Sequence, residues 1–487
     1  MRKIDGFGVI MRSILKRMAL LVAVLVSVML LGSCSDGKGS SDGLEFELNR
    51  DGEGYTLKSI GSCTDSEIKI DTYKGLPVTH IANSAFSYSS SPRSVLFGDS
   101  VSSIGDYAFS NCAYLTSVTL PDELIEIGKY AFAACPSLKE ISLPESVKEV
   151  PSDCFKGCSG LSSAKLPGVE YICSEAFLDC TALAELTLSD SLYAIEESAF
   201  RACHSLKTFQ TTEKLAEIGK NAFRGSDGLE RVSIGASVAL IGECAFSDCP
   251  SLKEILADDK NEYYISVSNS LYSKDGTEII QYATGSEAKS FTVPAFVEKI
   301  RPRALAGAQL LERVELSCVK TVGTEAFAGC SALSWIDFGE KLEIIGERAF
   351  SFCDSLEEIR LPDSTRELCQ NAFWSCDSLK TVHLGNGLES IGEHVFMNCK
   401  SLTHLFLPAT VNFIGEYATS GCDAMEITYY GGTVYDFASL SSSGIGMANS
   451  GLAASKIYVY SEIDPRDNID YPYFWHYDAE GNIVHWE

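Results

Sequence analysis

Cysteine and histidine are the residue types in this sequence best suited to chemistry. The chain has 18 cysteines and 7 histidines. Eleven cysteines recur at one position of a repeating pattern: Cys112, Cys135, Cys158, Cys180, Cys203, Cys249, Cys330, Cys353, Cys376, Cys399 and Cys422. A metal site would need paired ligands such as C-x2-C, and no such pair occurs. Because Ser226 occupies the same column, the spacing predicts a buried ladder of small side chains instead of a metal or redox centre.

The cysteines outside this column lie on or near predicted turns. Local disulfides, such as Cys173–Cys180 or Cys369–Cys376, remain an alternative because exported proteins form disulfides. Free thiols are the preferred prediction.

The histidines do not mark an active site. They fall at different repeat positions and not beside one candidate nucleophile: His80, His204, His383, His394, His404, His476 and His485. Neither H-E-x-x-H nor G-x-x-x-x-G-K-[ST] occurs. The sequence therefore predicts no catalytic residue, no metal and no cofactor, and a protein that is not an enzyme.

A repeat of 22 or 23 residues organises the chain. The template is C-x-x-L-x-x-[VI]-x-L-P-x-x-[LV]-x-x-[IV]-x-x-x-A-F, and its closing position is held by Phe86, Phe109, Phe132, Phe155, Phe177, Phe200, Phe223, Phe246, Leu305, Phe327, Phe350, Phe373 and Phe396. The step from Phe246 to Leu305 is 59 residues, one 23-residue period plus 36 extra residues. Such a period is typical of a solenoid whose rungs cannot bury their apolar faces alone, and about fourteen rungs are expected.

Each repeat predicts one short strand and one tight turn. Leu138-x-x-Ile141-x-Leu143 alternates with period 2, and Pro144 ends the strand because proline cannot donate to a ladder. Val150 returns to the core before a turn that is expected to be helical or 3₁₀. Stacked strands would form a parallel sheet along one face.

The segments outside the regular repeat predict caps and one insertion. Residues 44–81 alternate in short runs and predict an N-terminal β cap, followed by repeats over 82–422. Residues 257–290 break the rhythm, and Asp275-Gly276 between apolar runs predicts a β-hairpin with a type I′ turn. Residues 423–487, rich in tyrosine and tryptophan, predict a C-terminal β cap, with an aromatic ligand site as the alternative.

The N-terminal segment predicts export. Residues 1–33 combine basic residues with a short apolar run, and Leu31-Gly32-Ser33-Cys34 resembles a bacterial lipobox. Lipidation of Cys34 would then anchor the chain through a flexible tether over 34–43. An ordinary secretory signal is the alternative, in which case the protein would be secreted.

The charge balance excludes one class of partner. The net charge is −27, and removal of residues 1–33 takes away five basic groups and one acidic group, which leaves 34 − 65 = −31. A surface this acidic repels the phosphates of nucleic acids, so no nucleic-acid partner is expected.

The repeat unit AFxxCxxLxxVxLPxxVxxIGxxAF resembles the BspA-like leucine-rich repeats of bacterial surface and secreted proteins. The resemblance covers residues 44–487. It implies a leucine-rich-repeat solenoid of the α/β horseshoe type, strand-rich, with short helical or 3₁₀ turns and a cap at each end. Members are similar to adhesins that bind host matrix proteins, plasma proteins or other bacteria.

Outward positions of the strands are the candidate binding residues. In L-x-x-[VI]-x-L the third and fifth positions point away from the core. In the N-terminal half they hold small or singly charged residues: Ser117, Thr119, Glu140, Ser142, Ser163, Lys165, Glu185 and Thr187. In the C-terminal half they hold Trp335, Asp337, Glu358, Arg360, Thr381, His383, His404 and Phe406, which include the residue types that dominate interfaces. The alternative is that a cap or the hairpin covers them.

Three functions stay open at this stage. The first is an adhesin or recognition module for a host or bacterial surface protein. The second is a glycan-binding lipoprotein in nutrient capture, with sugar rings stacked on Trp335 and Phe406. The third is a purely structural role in the envelope.

Overall fold

The computed structural model describes residues 39–463, 465 and 473–486, which form a parallel β-solenoid of about 16 turns. The solenoid predicted from the period, and the parallel sheet predicted along one face, are therefore confirmed. The signal segment 1–33 and the lipidation site Cys34 lie outside the described residues.

The N-terminal cap is a small mixed sheet that covers the first rung. It comprises β1 (Glu45–Leu48), β2 (Tyr55–Ser59), β4 (Thr72–Tyr73) and β5 (Leu76–Ile81), while β3 (Glu67–Ile70) already pairs with the first repeat strand. β1 and β2 are antiparallel, and β2 pairs in parallel with β5. Phe46 packs on Tyr73 with ring centroids 4.3 Å apart, so aromatic side chains seal this end.

The longer repeat strands form one face, called here the strand face. After β3 they are β6 (Ser94–Phe97), β8 (Ser117–Thr119), β10 (Glu140–Ser142), β12 (Ser163–Leu166), β14 (Glu185–Leu188), β16 (Thr208–Gln210), β18 (Arg231–Ile234), β20 (Glu254–Ala257), β24 (Ser290–Thr292), β26 (Arg313–Glu315), β28 (Trp335–Asp337), β30 (Glu358–Arg360), β32 (Thr381–His383), β34 (His404–Leu407) and β36 (Ile427–Tyr430). They pair in parallel within five hydrogen-bonded groups, β3-β6-β8, β10-β12-β14, β16-β18-β20, β24-β26-β28 and β30 to β36.

A second parallel ladder, which the sequence did not predict, forms the return face. Its two-residue strands are β7 (Ser103–Ile104), β9 (Glu126–Ile127), β11 (Glu149–Val150), β13 (Tyr171–Ile172), β15 (Ala194–Ile195), β17 (Glu217–Ile218), β19 (Leu240–Ile241), β25 (Lys299–Ile300), β27 (Thr321–Val322), β29 (Ile344–Ile345), β31 (Glu367–Leu368), β33 (Ser390–Ile391) and β35 (Phe413–Ile414). The glycines that follow many of them allow close approach of rungs: a Cβ on Gly128 would lie 2.3 Å from the Asp106 nitrogen.

The turns are not the helical or 3₁₀ turns that the sequence predicted. In each regular rung two residues four positions apart are left-handed, such as Tyr107 (φ 57°) and Asn111 (φ 60°). Every second N–H across this turn points to the next rung, as in Phe109 N–H to the Ala131 carbonyl at 2.7 Å. The turn edge is thus a third inter-rung ladder, which a helical turn would not provide.

The insertion is a three-stranded meander of β21 (Tyr264–Val267), β22 (Ser270–Ser273) and β23 (Glu278–Gln281). The hairpin around Asp275-Gly276 is present, but only Gly276 has a positive φ there (79°). The sequence predicted a type I′ turn at Asp275-Gly276, and this position is wrong. Two consecutive residues with positive φ, as a type I′ turn requires, occur instead at Ser268-Asn269, with φ of 47° and 63°, between β21 and β22.

One enlarged rung accounts for the 36 extra residues. Tyr282 N–H donates to the Ala304 carbonyl at 2.9 Å, the bond that the repeat phenylalanine makes in other rungs. Phe246 to Tyr282 is 36 residues and Tyr282 to Leu305 is 23, which together give the 59-residue step. β23 accordingly joins the return face by pairing in parallel with β25.

Two columns of side chains fill the interior. The repeat phenylalanines are buried and stack nearly parallel, with centroids 5.2 Å apart for Phe177–Phe200 and 5.3 Å for Phe200–Phe223. The cysteine column forms the predicted ladder, in which each thiol donates to a carbonyl of the preceding rung, as Cys135 does to Phe109 at 3.1 Å and Cys330 to Leu305 at 3.2 Å. The cysteines of the described residues are free thiols.

The core divides into two clusters at the insertion. One runs from Leu44 to Ile280, and the other from Tyr272 to Leu452. Side chains bridge the junction, since Arg301 donates to the Ile241 carbonyl at 3.2 Å. Arg303 forms ion pairs with Asp248 before the insertion and Glu325 after it.

The described part of the C-terminal cap contains the predicted strands. It also contains two helices, which the sequence did not predict. α1 (Val434–Ser443) and α2 (Ser450–Ala454) precede β37 (Lys456–Tyr460), β38 (Phe474–Tyr477) and the antiparallel β39 (Ile483–Trp486). Thr433 caps α1 in a capping box with Asp436. Among the described residues, no helix has the length and hydropathy that crossing a bilayer requires.

Candidate binding surface on the C-terminal strand face

The eight predicted residues lie in two outward columns of the strand face. Trp335, Glu358, Thr381 and His404 form the first column, and Asp337, Arg360, His383 and Phe406 form the second. Strand register brings six of them together, because β30, β32 and β34 pair directly. The two on β28 belong to another hydrogen-bonded group, in which β28 pairs with β26.

Exposure falls along these columns towards the C-terminus. The four residues on β28 and β30 are exposed, and the four on β32 and β34 are half-buried. The insertion borders the other half of the face, where the Ile255 N–H donates to the Asn269 carbonyl at 2.8 Å. At the C-terminal end of the face, His485 of the cap packs against the rings of Tyr429 and Tyr458. Neither element buries β28 or β30.

Trp335 is paired with an arginine that the sequence analysis missed. The Arg313 guanidinium lies over the indole, 4.0 Å from the ring centroid, because Arg313 and Trp335 are register partners on β26 and β28. The same L-x-x-[VI]-x-L template identifies Arg313 in Leu311-Glu312-Arg313-Val314-Glu315-Leu316, once Ala308 is accepted in the cysteine column.

Arg360 is engaged on its own strand. Its guanidinium contacts the Glu358 carboxylate at 2.5 Å, and His383 Nε2 lies 3.6 Å from the same carboxylate oxygen. Arg360 therefore contributes a salt-bridged pair to this surface and is not the stacking partner of Trp335.

Burial and the Arg360 charge lower the pKa of His383 to about 4. His383 is therefore neutral near pH 7.

Stacked rings continue the second column into the cap. His383–Phe406 and Phe406–Tyr429 are stacked, with ring centroids 4.0 and 4.6 Å apart. Tyr458 is tilted by 37° against Tyr429 at 5.8 Å, and His485 stacks on Tyr458 at 4.1 Å. The Tyr429 hydroxyl and His485 Nε2 are 3.0 Å apart. Rings stacked along the solenoid cover each other's faces and present their edges to solvent, so this column is rigid and already packed.

The side chains of this surface are of types that make non-covalent contacts with other molecules. Within the described part of the chain, no group of three or more His, Cys, Asp or Glu side chains is arranged to hold a metal ion. Burial raises the pKa of thiols such as Cys353, which keeps them protonated and unreactive. Exposed tryptophan, arginine and carboxylates on a rigid sheet are suited to non-covalent binding.

Comparison with known proteins identifies the family. Residues 79–187, 170–310 and 298–426 match the family described as the BspA type leucine rich repeat region, in six copies. The chain belongs to the BspA-type leucine-rich repeat family. No curated protein matches this BspA-type chain.

Solved structures of bacterial proteins share the BspA-type fold. A leucine rich cell surface protein from Faecalibacterium prausnitzii A2-165 is 27% identical, covers 83% of this chain and 98% of its own, and has a TM-score of 0.58. The pneumococcal vaccine antigen PcpA is 21% identical, covers 87% and 98%, and has a TM-score of 0.54. The second likeness is one of fold alone.

Proposed function

We propose that this BspA-type protein is an exported, non-enzymatic binding protein of the bacterial cell surface. Its C-terminal strand face, on β26 to β34, would bind a protein ligand on a host cell or on another bacterium. The exposed Trp335–Arg313 stack, set on a hydrogen-bonded sheet and left open by both cap and insertion, is the observation that carries this proposal.

The energetics of this surface favour a protein ligand. Trp335 is 36% exposed, and burial of a tryptophan or arginine at an interface centre contributes about 2 kcal/mol or more. The neighbouring His383–Phe406 stack is held in place by packing, so little side-chain entropy is lost on binding.

The ring geometry gives less support to the glycan alternative. A sugar ring packs on the face of an aromatic side chain, and both faces of Phe406 are covered, by His383 and Tyr429. One face of Trp335 is likewise occupied by Arg313.

Localisation forms part of the same proposal. The lipobox-like Leu31-Gly32-Ser33-Cys34 would attach the protein to the envelope, and the polar residues that follow would hold the solenoid away from the membrane. The label of the Faecalibacterium neighbour as a cell surface protein supports this placement.

Binding to two panels would test the proposed function. The purified solenoid would be screened by biolayer interferometry against matrix, plasma and bacterial surface proteins, and separately on a glycan array. We expect a protein of the panel to bind. The double variant Trp335→Ala with Arg360→Ala should bind this protein with an affinity at least tenfold lower. The matched pair Ser142→Ala with Thr187→Ala, on the same face, should change it less than twofold. Equal losses from both pairs, or glycan binding alone, would contradict the proposal.

A further inference from the structure

The ladder of the strand face is interrupted beside Trp335. β28 is hydrogen-bonded to β26, and β30 is hydrogen-bonded to β32, but β28 and β30 belong to different groups. Trp335 and Glu358 occupy the first column on either side of this interruption, called here the β28–β30 step.

Arg313 covers one face of the indole at the step, and no other aromatic ring or cationic group of the described residues stacks on Trp335. The second face is called here the open face. The Arg313 guanidinium approaches from the preceding rung at 4.0 Å. The opposite face is therefore turned towards the following rung, where Glu358 is the next residue of the column. A tryptophan face attracts cations through its quadrupole, more strongly than the other aromatic side chains do.

Two carboxylates belong to the residues next to Trp335 on this surface. Asp337 lies on the same strand as Trp335, is exposed and accepts from the Gly339 N–H at 2.9 Å. The other carboxylate belongs to Glu358, which Arg360 contacts through one oxygen. Two arginines also lie near the step, Arg313 stacked on the indole and Arg360 paired with Glu358.

The net charge of the whole chain also favours a cationic ligand over an anionic one. The net charge of −27 attracts cationic groups and repels anionic ones. A cation at the step would meet the indole face and two carboxylates together, whereas an anion would meet the same carboxylates unfavourably.

We propose that the β28–β30 step binds a lysine or arginine side chain of the protein partner. This inference rests on the proposed function and specifies the chemistry of its ligand. The ammonium or guanidinium group lies on the open face of Trp335, between Asp337 and Glu358, and the rest of the partner extends over the stacked column that begins at His383.

Calorimetry with a simple probe tests this inference. The probe is an eight-residue glycine–lysine peptide, titrated into the intact solenoid at low ionic strength. The comparison peptide is acetylated on every lysine Nζ, which removes the charge and keeps the aliphatic part of the side chain. We expect acetylation to weaken binding at least tenfold. Equal affinity for both peptides would overturn the inference.

Three variants locate the binding. Trp335→Ala and Glu358→Gln should each reduce the affinity for the lysine peptide at least fivefold, and Trp335→Phe should fall between Trp335→Ala and the parent. Glu140→Gln is the matched control, because Glu140 is exposed in the same column on β10 and has no tryptophan before it. These side chains face solvent, so melting temperatures should stay constant. An equal loss of affinity in Glu140→Gln would mean that the peptide responds only to the overall negative charge of the protein. This result would overturn the inference.

The two proposals fail separately. If Trp335→Ala with Arg360→Ala abolishes binding of a surface protein but the lysine peptide does not bind, the proposed function stands and the step proposal falls. If the peptide binds at the step and no protein of the panel binds, the step proposal stands and the proposed function falls.

Discussion

Replacement of one interior phenylalanine should unfold half of this solenoid and leave the other half intact. Phe200 has no exposed surface and stacks between Phe177 and Phe223, with centroids 5.2 and 5.3 Å away. Phe200→Ala removes the ring from both stacks and leaves a cavity that the rigid ladders cannot close. Phenylalanine-to-alanine changes in packed cores cost about 3–5 kcal/mol, and both stacked contacts place this one in the upper part of that range.

Cys203→Ser is the matched control in the same rung. The Cys203 thiol donates to the Phe177 carbonyl at 3.4 Å. Ser226 makes the equivalent bond to the Phe200 carbonyl at 3.0 Å, so a hydroxyl already serves in this column. The cost of Cys203→Ser should stay below about 1 kcal/mol, because the donor is kept and little volume is lost.

Hydrogen exchange combined with urea unfolding measures both the size and the extent of the effect. Phe200 belongs to the first core cluster and Phe373 to the second, and the clusters meet at the insertion. Repeat proteins behave as nearest-neighbour arrays, so damage should remain mainly in the core cluster where it arises. Phe200→Ala should accelerate exchange in rungs before the insertion, and Phe373→Ala in rungs after it. Unchanged stability in Phe200→Ala would refute the inward-facing stack, and uniform acceleration would refute the two-part core.

The remaining predictions concern the anchor, a buried hydroxyl and pH. Cys34→Ala should abolish incorporation of a palmitate analogue, and continued labelling of the variant chain would exclude the lipobox. Tyr272→Phe should raise the melting temperature or leave it unchanged, since the Tyr272 hydroxyl is buried without a partner in the described structure; a loss above about 1 kcal/mol would reveal a missed partner. Burial and the Arg360 charge lower the pKa of His383 to about 4, against about 6.5 when unfolded. The stability from neutral His383 is therefore complete above pH 6.5 and lost as the pH falls towards 4. His383→Gln should flatten that part of a melting-temperature profile, and an identical profile would contradict the assignment.

The spacing of phenylalanine and cysteine was sufficient to predict the fold and its interior. A period of 22 or 23 residues with a recurring phenylalanine admits few arrangements other than stacked rungs. The placement of Phe200 in the core and of Cys135 in a ladder followed from that period alone. The outward positions of Trp335 and Arg360 followed from period-2 alternation within each strand.

The local backbone conformation was harder to predict from the sequence, because hydrogen bonds between neighbouring rungs determine it. Tyr107 and Asn111 adopt left-handed backbone angles while N–H groups of this turn bond to the next rung. Asparagine often adopts this conformation, but tyrosine does not indicate it. The return strands are two residues long, too short for any alternation to show. Tyr282 replaced the expected phenylalanine at an irregular distance, which concealed the enlarged rung.

The candidate site was predicted in its position but not in its pairings. Trp335 stacks on Arg313, a residue outside the predicted set, and Arg360 pairs with Glu358. Arg313 is the register partner of Trp335 in the same outward column, whereas Arg360 lies in the other column. The repeat template gives the column of each residue, but not which neighbour its side chain contacts.

A hydrogen-exchange footprint of the complex would test the binding surface most directly. The solenoid would be measured alone and with the surface protein that binds most tightly in the panel. The account predicts slower exchange in peptides that contain β26, β28, β30, β32 and β34, with strands β10 to β20 unchanged. Protection confined to β10–β20, to the return face or to the turn edge would contradict the claim that the C-terminal strand face is the binding site.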